Sequence, residues 1–147
     1  MNLLNVPNKN SDHAEVTKRL AKIREACDLV LPVTAVIETG NHVAQIKDGG
    51  TRGRCAERFA GVIRMSISGQ APWVLNTVAW DAEFLQSLLD GAGTGSNLVD
   101  LARAKLGCGD LSILTEVERY GARTSRVRIS VWTLDEQLSS YCDSPPS

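Results

Sequence analysis

RVRISVWTLD, from Arg126 to Asp135, is the stretch on which the fold turns. From Arg126 to Thr133, β-branched and aromatic residues alternate with others at a period of two, the pattern of the clearest strand in the chain. Asp135 comes directly after it. Two shorter apolar runs, Leu29-Val30-Leu31 and Pro72 to Leu75, also read as strands, the first stopped by Pro32, which cannot donate to a ladder. Helical patterns fill the space around them. One runs from a cap at Ser11 or Asp12 to Cys27, with Val16, Leu20, Ile23 and Cys27 on its buried side. A turn at Asp48-Gly49-Gly50 precedes a helix from Arg54 to Ser68 that buries Cys55, Phe59, Val62 and Ile63. Further helices are expected over Trp80 to Leu89, Leu98 to Leu106, Asp110 to Tyr120 and Asp135 to Tyr141. Helices interleaved with short strands imply an α/β domain with a mainly parallel sheet. It spans residues 1–142 as a single domain, with DSPPS, 143–147, as a frayed tail.

The whole chain constrains what this domain serves. It has 147 residues, 43% of them hydrophobic, enough for one real core. A net charge of −1 gives no global pull toward nucleic acid or membrane. No run approaches the ~18 apolar residues needed to span a bilayer, and the opening MNLLNVPNKN lacks the design of a signal peptide. Cys27, Cys55, Cys108 and Cys142 form no CxxC pair, so reduced thiols in a cytoplasmic protein are expected.

The residues that could carry chemistry are acids. VTAVIETGNHVAQI, Val33 to Ile46, holds one charged residue, Glu38. At 100° per residue Thr34, Glu38, Asn41, His42 and Gln45 share a helical stripe. That stripe is either a lightly charged surface or the wall of a cleft whose carboxylate holds something cationic. Asp110, in GCGDLSIL, is either a helix cap or a ligand. Asp135 is likewise either a cap or a ligand, placed beyond the carboxyl end of a strand, where open parallel sheets bind. Carboxylates gathered in one cleft need protonation or a cation, and hard Mg²⁺ or Mn²⁺ suits all-oxygen ligands.

Other signals carry less. GAGTGSN, Gly91 to Asn97, has the glycines of a phosphate loop but comes after a helix and lacks the GK[ST] ending, so it reads as a connection. His13 and His42 lack metal-site spacing. Arg52, Arg54 and Arg58 with Lys47, and Arg123, Arg126 and Arg128, are two basic clusters, either solvated surface or local phosphate contacts.

Taken in order, AVIETGNH with Glu38, GDLSIL with Asp110, and WTLD with Thr133 and Asp135 resemble the second, third and fourth acidic positions of PIN domains. These are metal-dependent ribonucleases found in many toxin–antitoxin systems. The resemblance covers nearly the whole chain. It implies a three-layer fold, a parallel sheet flanked by helices, with Glu38, Asp110 and Asp135 binding Mg²⁺ or Mn²⁺ and Thr133 orienting a ligand or water. It also implies hydrolysis of RNA phosphodiesters by two-metal logic, a cognate antitoxin protein as partner, and a homodimer as an allowed assembly. The amino terminus departs from the pattern. PIN domains begin with a strand that ends in an Asp, and nothing before Ser11 supplies that Asp. MNLLNVPNKN is similar to the family's stretch just after it. The expectation is therefore either that the strand lies upstream of a wrongly assigned start or that this is a truncated, impaired relative. The rivals are a catalytically dead module that binds RNA or protein and an unrelated α/β domain whose three acids are caps and surface residues.

Overall fold

A computed structural model describes residues 3–6, 10–124 and 128–142 of the chain. The expected tail, 143–147, and Arg126 lie outside the described residues. The chain divides into two compact units, Met1–Thr77 and Val78–Ser147.

The first unit contains α1 (His13–Ala26), β1 (Val30–Leu31), α2 (Val33–Ala44), α3 (Gly49–Ile67) and β2 (Val74–Leu75). The two strands pair in parallel, Val30 opposite Val74 and Leu31 opposite Leu75. Pro32 ends β1 and stands at the N-cap of α2, where its missing N–H costs nothing. α3 begins a full turn before the expected Arg54. Asp48, in the extended conformation, accepts a hydrogen bond from the Thr51 N–H at 2.7 Å, and that cap converts the Asp-Gly-Gly turn into a first helical turn. The core is Leu4, Val6, Val43 and Cys55, with Ile46, Phe59 and Val62 packed against it. α2 and α3 approach closely: a Cβ on Gly40 would lie 3.3 Å from the Phe59 ring. The Arg58 guanidinium donates to the Leu4 carbonyl at 3.1 Å, tying the amino-terminal residues to α3. α1 buries less than its periodicity implies. Val16 is buried, Leu20 and Ile23 are half-buried, and Cys27 is exposed.

The second unit contains α4 (Ala82–Leu89), α5 (Leu98–Arg103), α6 (Cys108–Arg123) and α7 (Glu136–Cys142). Its core joins Phe84 and Leu88 of α4, Leu101 of α5, Leu111 and Leu114 of α6, Leu138 of α7 and Leu106. Full burial of each such side chain contributes ~1.5–3 kcal/mol. α4 is fastened to α6 by polar contacts as well. Arg119 bonds Asp81 at 3.3 Å and reaches Glu83 at 3.7 Å, and the Ser87 hydroxyl donates to the Glu118 carboxylate.

The fold is mixed α/β, with a sheet smaller than expected. Among the described residues β1 and β2 are the only strands, and residues 128–133 lie in neither helix nor strand. Alternation alone does not make a strand, because a ladder needs a second chain edge beside it. Here the pattern is satisfied by packing. Val131 rests on the second unit's core, and the Ile129 Cδ1 lies 3.4 Å from where a Cβ of Gly121 would be. No helix among the described residues is long and apolar enough to cross a membrane.

Candidate functional site

α6 starts where the chain turns from extended to helical at Gly107, its N-cap residue, which has no side chain to cap with. Asp110 therefore lies three residues into the helix and is not itself the cap. From there its Oδ2 lies 3.5 Å from where a Cβ of Gly107 would be, and the Gly107 N–H favours its ionised form. Asp110 is half-buried.

Asp135 comes to the same place from the other side of the unit's sequence. Its backbone N–H donates to the Thr133 hydroxyl at 3.0 Å. Its carboxylate Oδ1 accepts from the Leu138 N–H at 2.9 Å, capping α7. Thr133 thus fixes the turn, and the turn fixes the carboxylate. Asp135 is exposed and Thr133 half-buried. An open depression of about 470 Å³ is lined here by Thr133, Leu134, Asp135, Glu136, Ser139 and Ser140.

Asp110 feels the charge of Asp135. Burial pushes the Asp110 carboxyl above its ordinary range, the Asp135 charge pushes it further, and the Gly107 N–H pulls it back. A carboxyl raised by a like charge favours either a proton or a cation between the pair. Asp110 and Asp135 with the Thr133 turn are what the structure brings together.

Glu38 belongs to the other unit. It lies on α2, exposed, as are Asn41, His42 and Gln45 of its stripe; Thr34 alone of that stripe is buried. Three exposed neutral neighbours and a buried threonine match the surface reading of the stripe within this unit. Among the described residues no three His, Cys, Asp or Glu side chains gather to hold a metal ion. The Asp110–Asp135 pair offers hard oxygen donors of the right chemistry, but two carboxylates, one of them capping a helix, make a partial ligand set.

One acid went unnoticed in the sequence. Glu116 is 5% exposed on α6, a turn beyond the buried Ser112. Its place in LTEVERY, among other charges, gave no signal of burial. Cys27, Cys55 and Cys108 are free thiols. The Gly91–Asn97 loop leads into α5, a helix of six residues too short to cradle a phosphate. Comparison of the chain with models of known protein families, with curated proteins and with solved structures returns no match.

Proposed function

We propose that the chain is a divalent-cation-dependent ribonuclease of PIN-like type that hydrolyses RNA phosphodiesters. Asp110 and Asp135 would hold Mg²⁺ or Mn²⁺. A bound cation of this kind stabilises phosphoryl charge and lowers the pKa of its water. The chain's own contribution is position. The Thr133 hydroxyl fixes the Asp135 backbone. The observation that supports the reading is that Asp110 and Asp135, from separate elements, approach closely enough for the Asp135 charge to add to the burial that raises Asp110. Such perturbed acids concentrate at functional sites, though structural networks produce them too.

A second reading, a catalytically dead module that binds RNA or a protein partner such as an antitoxin, has its own support. Asp135 already serves a helix terminus. One experiment separates the two. Mn²⁺ is titrated by calorimetry into the wild-type chain, Asp110→Asn and Asp135→Asn, and a labelled RNA is incubated with each in Mg²⁺. The ribonuclease reading expects binding and cleavage by wild type and loss of both in each variant. Absence of Mn²⁺ binding by wild type leaves the binding module.

A further inference from the structure

β2 is an open edge. Among the described residues the sheet has two strands, β1 beside β2, each two residues long. The Val74 N–H donates to the Leu29 carbonyl at 2.9 Å, so Val74 turns its backbone polar groups toward β1. Successive residues of a strand turn theirs to opposite sides, and the N–H and C=O of Leu75 therefore point away from β1. No backbone partner meets them among the described residues. Val74 and Leu75 are 55% and 58% exposed.

Nothing guards this edge. Natural sheets blunt their edges with charged side chains, a proline on the strand or a bulge. Here Pro72 comes before the strand, and no charged residue occurs from Met65 to Trp80. More apolar surface lies close by. The chain doubles back at the end of α3, where the Gln70 and Ala71 N–H groups both donate to the Met65 carbonyl at 2.8 and 3.1 Å. The Trp73 indole N–H then donates to the Ser66 hydroxyl at 2.9 Å. Those bonds keep Met65 and Ile67, both exposed, near the strand that follows. Two strands this short are marginal in water without a third beside them.

The symmetry of the edge selects its occupant. A strand without charge neither attracts a charged partner nor repels its own copy. Antiparallel pairing about a two-fold axis through Leu75 sets that residue opposite itself. Its outward N–H and C=O then exchange both bonds with the C=O and N–H of the copy, and the contact closes after two chains. The two Leu75 side chains meet across the axis, where cross-strand pairs stabilise a sheet.

We propose that β2 is a dimerisation edge, on which a second copy of this chain adds its own β2 in the antiparallel sense to make a four-stranded sheet centred on Leu75. The shared strand is short, so association is weak and concentration reveals it.

Sedimentation equilibrium of the full chain from about 5 to 500 µM spans weak association. The average mass should rise from one chain toward two and stop there, because a two-fold contact closes on itself. Leu75→Lys and Leu75→Glu each set like charges opposite one another at the axis, and each alone should remain a single chain. Mixed in equal amounts they should pair, the response of a residue that faces its own copy. Leu89→Lys, the same kind of change at an exposed leucine of α4, should associate as wild type does. If the Leu75 variants lose their helical circular dichroism, amide hydrogen exchange on the wild type carries the test. The Leu75 amide should exchange several-fold more slowly at the highest concentration than at the lowest, while the Val74 amide, bonded to Leu29 in both states, should not change. A wild type that stays a single chain, growth beyond two chains, no pairing in the mixture of folded variants, loss of association in Leu89→Lys, or a Leu75 amide indifferent to concentration overturns the proposal.

Discussion

Glu38 and Asp110 differ in what their surroundings ask of them. Glu38 stands exposed on a helix among neutral side chains, in a unit whose net charge is positive. Asp110 is half-buried in an acidic unit, facing the acid at Asp135. Sequence periodicity marks both with similar force, because it reports which residues share a face. It does not report what a distant segment brings to that face. A lone acid in a polar stripe and an acid opposed by another acid look alike until the chain is folded. Mutations can widen or close that distinction.

The largest expected effect tests the frame that holds the acidic unit. Gly91 has φ +81°, and a Cβ there would lie 1.7 Å from the Ser96 carbonyl oxygen. Gly91→Ala should therefore cost ~2–4 kcal/mol, from the left-handed conformation and the overlap together. Urea unfolding measures it. A loss under ~1 kcal/mol would mean that the Gly91–Asn97 loop moves without consequence for the unit, contrary to its tight closure on Leu101.

Much of this frame is legible in the sequence. Pro32 stops β1, the spacing of apolar residues sets α2 and α6, and Asp135 caps the last helix. Where sequence and structure part, the missing information is tertiary. Asp48 and Arg54 give equal grounds for starting α3, and the cap on Thr51 decides it. The period-two pattern ending at Thr133 gives no indication that Val131 packs on a helical core with no strand beside it among the described residues. The depth of Glu116 is likewise invisible, since nothing in LTEVERY separates a buried acid from its exposed neighbours. The opposition of Asp110 and Asp135 is foreseeable only as one convergence among several, because spacing fixes order and not distance.

The next effect separates capping from charge at Asp135. Asp135→Ala removes the acceptor for the Leu138 N–H and should destabilise by ~1 kcal/mol. Asp135→Asn keeps an equally good cap while deleting the charge, and should fall well short of that loss. Equal losses in the two variants would show that the charge, not the cap, is what the fold uses.

A smaller effect tests the opposition itself through pH. Asp110 has its carboxyl raised in the folded chain, so folding favours its protonated form. That contribution is fully present below the ordinary carboxyl range and is lost as pH climbs through the raised value. Ionised at neutral pH, Asp110 weakens the fold. Asp110→Asn should accordingly raise the melting temperature at pH 7 in EDTA and flatten its dependence on pH across the acidic range. Asp135→Asn should lower the raised carboxyl and produce part of the same flattening, and the double variant should give less than the sum. Strict additivity would mean that burial alone raises Asp110, and that Asp135 is a cap and nothing more.

Glu38→Gln should have the smallest effect on stability. An exposed helix position with no ion pair among the described residues changes stability by at most ~0.5 kcal/mol, so melting in EDTA should be unaltered. The informative quantity is the difference that Mn²⁺ makes. If Glu38 takes part in cation binding, the variant matches wild type in EDTA yet gains less melting temperature from added Mn²⁺, because the ion stabilises only the state that binds it. If Glu38 is a surface residue, wild type and variant shift equally, and the cation, where it binds, is held by Asp110 and Asp135 without help from α2. A stability loss above ~1 kcal/mol in EDTA would contradict both, since it requires the carboxylate to be buried and paired.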